Sequence, residues 1–262
     1  MRKLNHSEQL AKHVIEIVEK GTRAEFCLGQ SDGEYDLNLT FADGTRAAVE
    51  VTKSTSQDGQ EMLVALQKRG NFVNAVSCTH SWFVEALPTA RIGLVLQNVD
   101  RYLRAIEAEG RDEFSAEPSG ESAAVSNILK DLQIIEGSVL SMPSPARIWI
   151  CGPMPSTTGS IVNPDHLQRA IEREAQKPDI RQKRWTSECK ERHLFVHVDS
   201  LNDEAWSALV NGCMPPQTPS LPPELTHVWA ATDEAPNGIV VWTSNPPEGW
   251  RDRGLILPCW PR

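Results

Sequence analysis

Apolar and polar positions alternate over two short runs on either side of a tight turn. In the first, Leu37, Leu39 and Phe41 fall on one side and Asp36, Asn38 and Thr40 on the other. That period of two marks a half-buried strand. In the second run Val49 and Val51 share one side, while Ala48, Glu50 and Thr52 share the opposite one. Asp43-Gly44 between them is a strong hairpin signal. A two-residue turn there pairs Leu37 with Glu50 and puts an acid on the apolar face. A three-residue turn, Ala42-Asp43-Gly44, pairs Phe41 with Thr45 and Asp36 with Glu50, with Gly44 in the left-handed conformation that such turns need. A one-residue slip turns every side chain over, so the pattern selects the second register.

Helical spacing takes over elsewhere. Leu10, Ala11, Val14, Ile17 and Val18 line one face of a helix over 5–20, with Asn5 as cap, Glu8 at the capping-box position and Gly21 as stop. Further helices are predicted over 60–69, 91–109, about 125–132, 163–175 and 205–210. Strands are predicted over Ser81–Leu87, placed next to the hairpin, over Arg147–Cys151 and over His193–Asp199. A second hairpin joins 228–231 to 239–242. The polar run 110–122 reads as an exposed loop, and the prolines of 214–224 as a rigid connection. The expected architecture is α/β: one continuous domain over 1–262, with a mixed central sheet flanked by helices. A core of about 5–109 would be extended by about 123–262.

The chosen register has a chemical consequence. It sets Asp36 and Glu50 side by side, with Cβ atoms roughly 5 Å apart. Two facing acids repel, and either a raised pKa or a bound divalent cation relieves them. Mg²⁺ typically takes one or two carboxylates together with water and phosphate oxygens. A polar sheet face with basic neighbours is the structural alternative.

An Asp-bearing strand, a tight turn and a strand carrying an acid and a nearby lysine resemble the PD-(D/E)xK nuclease superfamily. The matching residues are Asp36 and Glu50-Val51-Thr52-Lys53. The resemblance implies a restriction-endonuclease-like core over roughly 5–100 and a Mg²⁺ or Mn²⁺ ion held by Asp36 and Glu50. It also implies a glutamate from the first helix, Glu8 before Glu16, and a lysine that positions the attacking water. The chain departs from the pattern at one point: Thr52 stands two residues after Glu50, and Lys53 falls on the other face unless the strand bulges. Thr52 would then hold water or phosphate by its hydroxyl, and the cation would come from Lys53, Lys68, Lys183 or Lys190. By analogy the setting is a microbial DNA-processing or defence nuclease.

The charge balance narrows the partners. A net charge of −9 leaves no basic footprint over the whole chain, which argues against a protein that simply coats DNA. A local basic edge remains available to nucleic acid: Lys68 and Arg69, then Arg181, Lys183 and Lys190 among interspersed acids. The six cysteines form no CxxC pair, so free thiols and a cytoplasmic setting are expected. No signal peptide is visible, and no apolar run reaches the ~20 residues of a membrane span. A second reading keeps the fold without the chemistry, as a module that binds nucleic acid or a protein partner, or a second copy of itself. A third centres a hydrolase on His193, His197 and Asp199, which share one strand face, although strand neighbours two apart lie ~6.6 Å apart along the chain.

Overall fold

The facing strands Leu37–Thr40 and Arg46–Ser54 form in the selected register. Leu37 pairs with Val49 and Thr40 with Arg46. The Phe41 amide donates to the Thr45 carbonyl and the Gly44 amide to the Phe41 carbonyl, both at 2.9 Å. Gly44 has a φ of 83°, which its missing Cβ allows at little cost. This hairpin belongs to a computed structural model that describes residues 5–27, 35–115, 123–142, 145–152, 163–182, 189–245 and 248–256.

In chain order the elements begin with α1 (His6–Val18), β1 (Arg23–Phe26), β2 (Leu37–Thr40) and β3 (Arg46–Ser54). Next come α2 (Gln57–Arg69), β4 (Phe72–Asn74), β5 (Ser81–Ala86), α3 (Ile92–Ala108), β6 (Glu113–Ser115), α4 (Ala123–Leu132), β7 (Ile134–Leu140) and β8 (Arg147–Cys151). The chain continues through α5 (Asp165–Ala175), α6 (Pro178–Arg181), β9 (Glu191–Val198), α7 (Asp203–Val210), β10 (His227–Ala235), β11 (Gly238–Ser244) and β12 (Trp250–Ile256).

These elements make two compact units where the pattern predicts a single continuous domain. One comprises Met1–Thr55 and Thr157–Arg262, the other Ser56–Ser156. The first holds a seven-stranded sheet ordered β1-β2-β3-β9-β10-β11-β12. Strands β3, β9 and β10 run parallel, with antiparallel strands on both flanks. Helix α1 covers one face, packing Leu10, Ala11, Val14 and Ile15 against Leu39, Val49, Phe195 and Trp229. Helices α5 and α7 cover the other, against Leu194, Val196, Val228 and Trp242. Because β3 alternates, its odd positions from Ala47 to Lys53 face α1 and its even positions from Ala48 to Ser54 face α5.

The second unit is also α/β, so the mixed sheet flanked by helices holds for both. Its sheet is ordered β4-β8-β5-β7-β6. Helices α2, α3 and α4 pack on one face, over Trp82, Val84, Ile148 and Ile150. The opposite face carries an aromatic row, since Phe72 and Phe83 both pair with Trp149. The strand at Ser81–Ala86 therefore belongs to this second sheet. It does not flank the hairpin as expected; β9 does. The expected core of about 5–109 is thus divided between the units after Thr55.

Candidate functional site

At the open end of the hairpin the sheet buries two acids. Asp36 is 7% exposed and Glu50 4%. Asp36 precedes the Leu37–Val49 pair, and its own amide bonds the Val49 carbonyl at 2.9 Å. Its Oδ2 accepts the Val51 amide at 2.9 Å, extending the edge of the ladder by a side chain. Asp36 is thereby tied to the backbone of β3 on either side of Glu50, just beyond the last ladder pair.

The residues after Glu50 part company across the sheet. Thr52 faces α5, and its hydroxyl donates to Glu174 Oε2 at 2.9 Å. Glu174 is 1% exposed and forms ion pairs with Lys177 and, at 3.7 Å, with Arg173. Arg173 also reaches the Ser54 hydroxyl at 3.3 Å, and Asn202 donates to that oxygen at 2.9 Å. One face of β3 thus carries Glu50, Thr52 and Ser54 beneath α5, which with Lys177 just beyond its end adds a carboxylate and two cations.

Lys53 faces the other way. The strand keeps its alternation to the end, with no bulge to bring Lys53 round to Glu50. It pairs instead with the buried Asp199, which also accepts the Leu201 amide at 2.7 Å. Glu8 likewise does not join the acid pair. It lies at the start of α1, on the face opposite Glu50, and its carboxylate bonds Asn5 through the backbone amide at 3.3 Å and the side-chain amide at 2.8 Å. Helix capping claims it. Glu16 accepts from Lys12 and from the Ala24 amide at 3.0 Å, so it ties α1 to β1.

The expected basic residues are divided between the two units. Lys68 and Arg69 end α2 in the second unit, whereas Arg181 and Lys190 lie exposed in the first. Lys183 lies outside the described residues.

The two histidines of β9 enter separate networks on the α1 face. The Ser7 hydroxyl lies 2.8 Å from His197 Nδ1, and His197 Nε2 lies 3.1 Å from Asp233 Oδ1. The other oxygen of Asp233 meets His6 Nε2 at 2.7 Å. Burial pushes the Asp233 carboxyl up, but the bond and charge of His197, followed by those of His6, outweigh it and hold the group well below the usual range. Ionised Asp233 can only accept. His197 therefore donates to it from Nε2, and the Ser7 hydroxyl bonds the other ring nitrogen.

His193 stands at the other end of β9, next to His227 on β10 in register. Glu191 Oε2 lies 3.0 Å from His193 Nε2 and 3.9 Å from His227 Nδ1. The imidazole rings are 4.3 Å apart. Among the described residues this is the one group of three potential metal-ligating side chains whose atoms converge, all within 4.8 Å of one another. It opens on a cavity of about 430 Å³ that Phe41, Asp43, Trp229, Arg251 and Arg253 also line. Burial and the adjacent His193 push His227 down to about 4, and the hydrogen bond from His193 lowers Glu191. At neutral pH the cluster thus sets an ionised Glu191 near a neutral His227.

Sequence patterning singled out Asp36 and Glu50 but not Glu174, Glu191, His227 or Asp233 as site residues. Glu191 was within reach, because it extends the His193 alternation by one step. Comparison with protein-family models, curated proteins and solved structures finds no match for this chain.

Proposed function

We propose that the chain is a metal-dependent nuclease that hydrolyses phosphodiester bonds of nucleic acid, DNA foremost, in the cytoplasm. One observation supports this reading: the hairpin adopts the register whose continuation beyond Leu37–Val49 would set Asp36 opposite Glu50, and both acids are buried. The donor set suits Mg²⁺ or Mn²⁺, which accept two carboxylates and take their remaining ligands from water and phosphate. A bound ion of this kind polarises the phosphate and acidifies a water. Asp36 and Glu50 would hold it at the end of the hairpin. Thr52 and Glu174 form a polar wall on the same face as Glu50, and Lys177 and Arg173 supply the positive charge that the pattern expects two residues after Glu50. Their role is to offset the charge that builds on the phosphate in the transition state.

The test is cleavage of single- and double-stranded DNA and RNA in Mg²⁺, Mn²⁺ or chelator. Asp36→Asn and Glu50→Gln should each lower the rate at least ~100-fold, as expected where a charge-stabilising group is lost. Lys177→Met should lower it while leaving binding in place. Activity that survives both acid substitutions ends the proposal.

A second reading, a nuclease fold without the chemistry, has its own support. Thr52 and Lys53 are already engaged by Glu174 and Asp199. The row of Phe72, Trp149 and Phe83 offers ring faces on which bases stack, and Arg147 stands over the Phe72 ring at 5.3 Å. Tight binding of an oligonucleotide without cleavage in any metal favours this reading.

A further inference from the structure

We propose that Glu191, His193 and His227 bind a divalent transition metal, Zn²⁺ by the chemistry of the donors, and that Trp229 acts as a brake on its binding. The site lies on the α1 face of the seven-stranded sheet, opposite Glu50, and is independent of the nuclease reading.

The geometry is close to what zinc needs. Zinc–ligand bonds of about 2.0–2.2 Å in a tetrahedral site separate neighbouring donor atoms by roughly 3.4 Å. Glu191 Oε2 is already 3.0 Å from His193 Nε2 and 3.9 Å from His227 Nδ1. Small rotations about the side-chain bonds bring all three to bonding distance. The donors stand on the paired strands β9 and β10, with His227 opposite His193, so the backbone is set before an ion arrives. Two imidazoles and a carboxylate are nitrogen and oxygen ligands of the kind that favour zinc over magnesium or calcium. Three protein ligands leave a fourth position for water or a small anion, and the 430 Å³ cavity gives access to it. The Thr226 hydroxyl lies 2.9 Å from His227 Nδ1, the nitrogen that faces Glu191, so an ion on that nitrogen takes the place of this hydrogen bond.

A second contact, on His193, also opposes the metal. The Trp229 indole N–H lies 3.2 Å from His193 Nδ1 and can only donate. It therefore keeps the imidazole proton on Nε2, the nitrogen that faces Glu191. A metal ion on Nε2 requires the neutral ring's proton to move to Nδ1, and a proton there ends the Trp229 hydrogen bond. Trp229 is 3% exposed, so little solvent reaches it in exchange. Removing the indole donor should relieve this cost and tighten binding.

Zinc affinity of the full chain, measured by competition with a chromophoric chelator, tests the proposal. One Zn²⁺ per chain is expected, with affinity lowered at least ~100-fold in His193→Ala and in His227→Ala. Co²⁺ in place of Zn²⁺ should give the strong visible absorption of a tetrahedral site. Trp229→Phe should bind Zn²⁺ about tenfold more tightly than the native chain, a gain that misfolding cannot produce. The proposal is overturned if the native chain binds zinc no better than the double histidine variant, or if Trp229→Phe fails to raise the affinity.

Discussion

Asp233 shows how much one carboxylate can organise. It receives His197 from β9 and His6 from the start of α1, and so joins the helix to the sheet. Its folded pKa lies below the ordinary value, so its contribution to stability is complete above about pH 4 and lost as the pH falls through the folded value. Asp233→Ala should therefore cost roughly 1–3 kcal/mol at pH 7, the cost of stranding buried donors. Urea unfolding at several pH values should show the gap from the native chain closing steadily below about pH 4. A gap of constant size would mean that the histidines do not hold the group. At this scale the sequence was legible where the rule is local. Alternation alone put Glu50 and Thr52 on one face and Lys53 on the other, and the strand obeys it to its last residue. It said nothing of Glu174, which reaches Thr52 from a helix far along the chain, or of His227, which meets His193 only because β9 and β10 pair in parallel.

Among the elements, the hairpin could be read from its turn because Asp43-Gly44 fixes partner and register together. The neighbour of β3 could not. No turn joins β3 to β9, and a parallel partner leaves no local mark. Ser81–Ala86 displays a strand's alternation but does not name its sheet, hence its misplacement beside the hairpin. Strand β7 went unrecognised because Glu136-Gly137 interrupts its apolar run. Gly137 is small for a packing reason, since a Cβ there would stand 2.4 Å from the Phe114 ring. In the same unit α3 secures the chain before β5 through Glu107. Its carboxylate accepts the Thr79 and His80 amides at 2.8 and 2.9 Å and the Trp82 indole at 3.1 Å. Burial raises the pKa of Glu107, yet these donors bring it down to about 2. Its stabilising effect is thus full above the ordinary value of about 4.5 and fades as the pH drops through about 2. Glu107→Gln should lower stability by about 1.5–3 kcal/mol at pH 7, the range for hydrogen bonds to a charged group. The deficit should shrink below pH 4 in thermal melts.

The whole molecule is one unit interrupted by another. Ser56–Ser156 is inserted between β3 and α5, and each unit has its own core. Calorimetry should resolve two unfolding transitions, with Glu107→Gln shifting one and Asp233→Ala the other. Movement of both by either substitution would show that the units unfold together. No helix among the described residues is long and apolar enough to cross a membrane, and Cys27, Cys78, Cys151, Cys189 and Cys213 are free thiols. The insertion was illegible because the sequence carries no composition break at Thr55; β3 ends and a capped helix begins within a few residues. The order of the strands also sets a schedule for the growing polypeptide. Strand β3 leaves the ribosome early, yet its parallel neighbour begins only at Glu191, beyond the inserted unit. At ~5–20 residues per second, the nascent three-stranded ribbon waits roughly 7–27 seconds with a bare flank. During that interval the inserted unit can finish folding first, while the ribbon's exposed edge is open to chaperones or to a neighbouring chain.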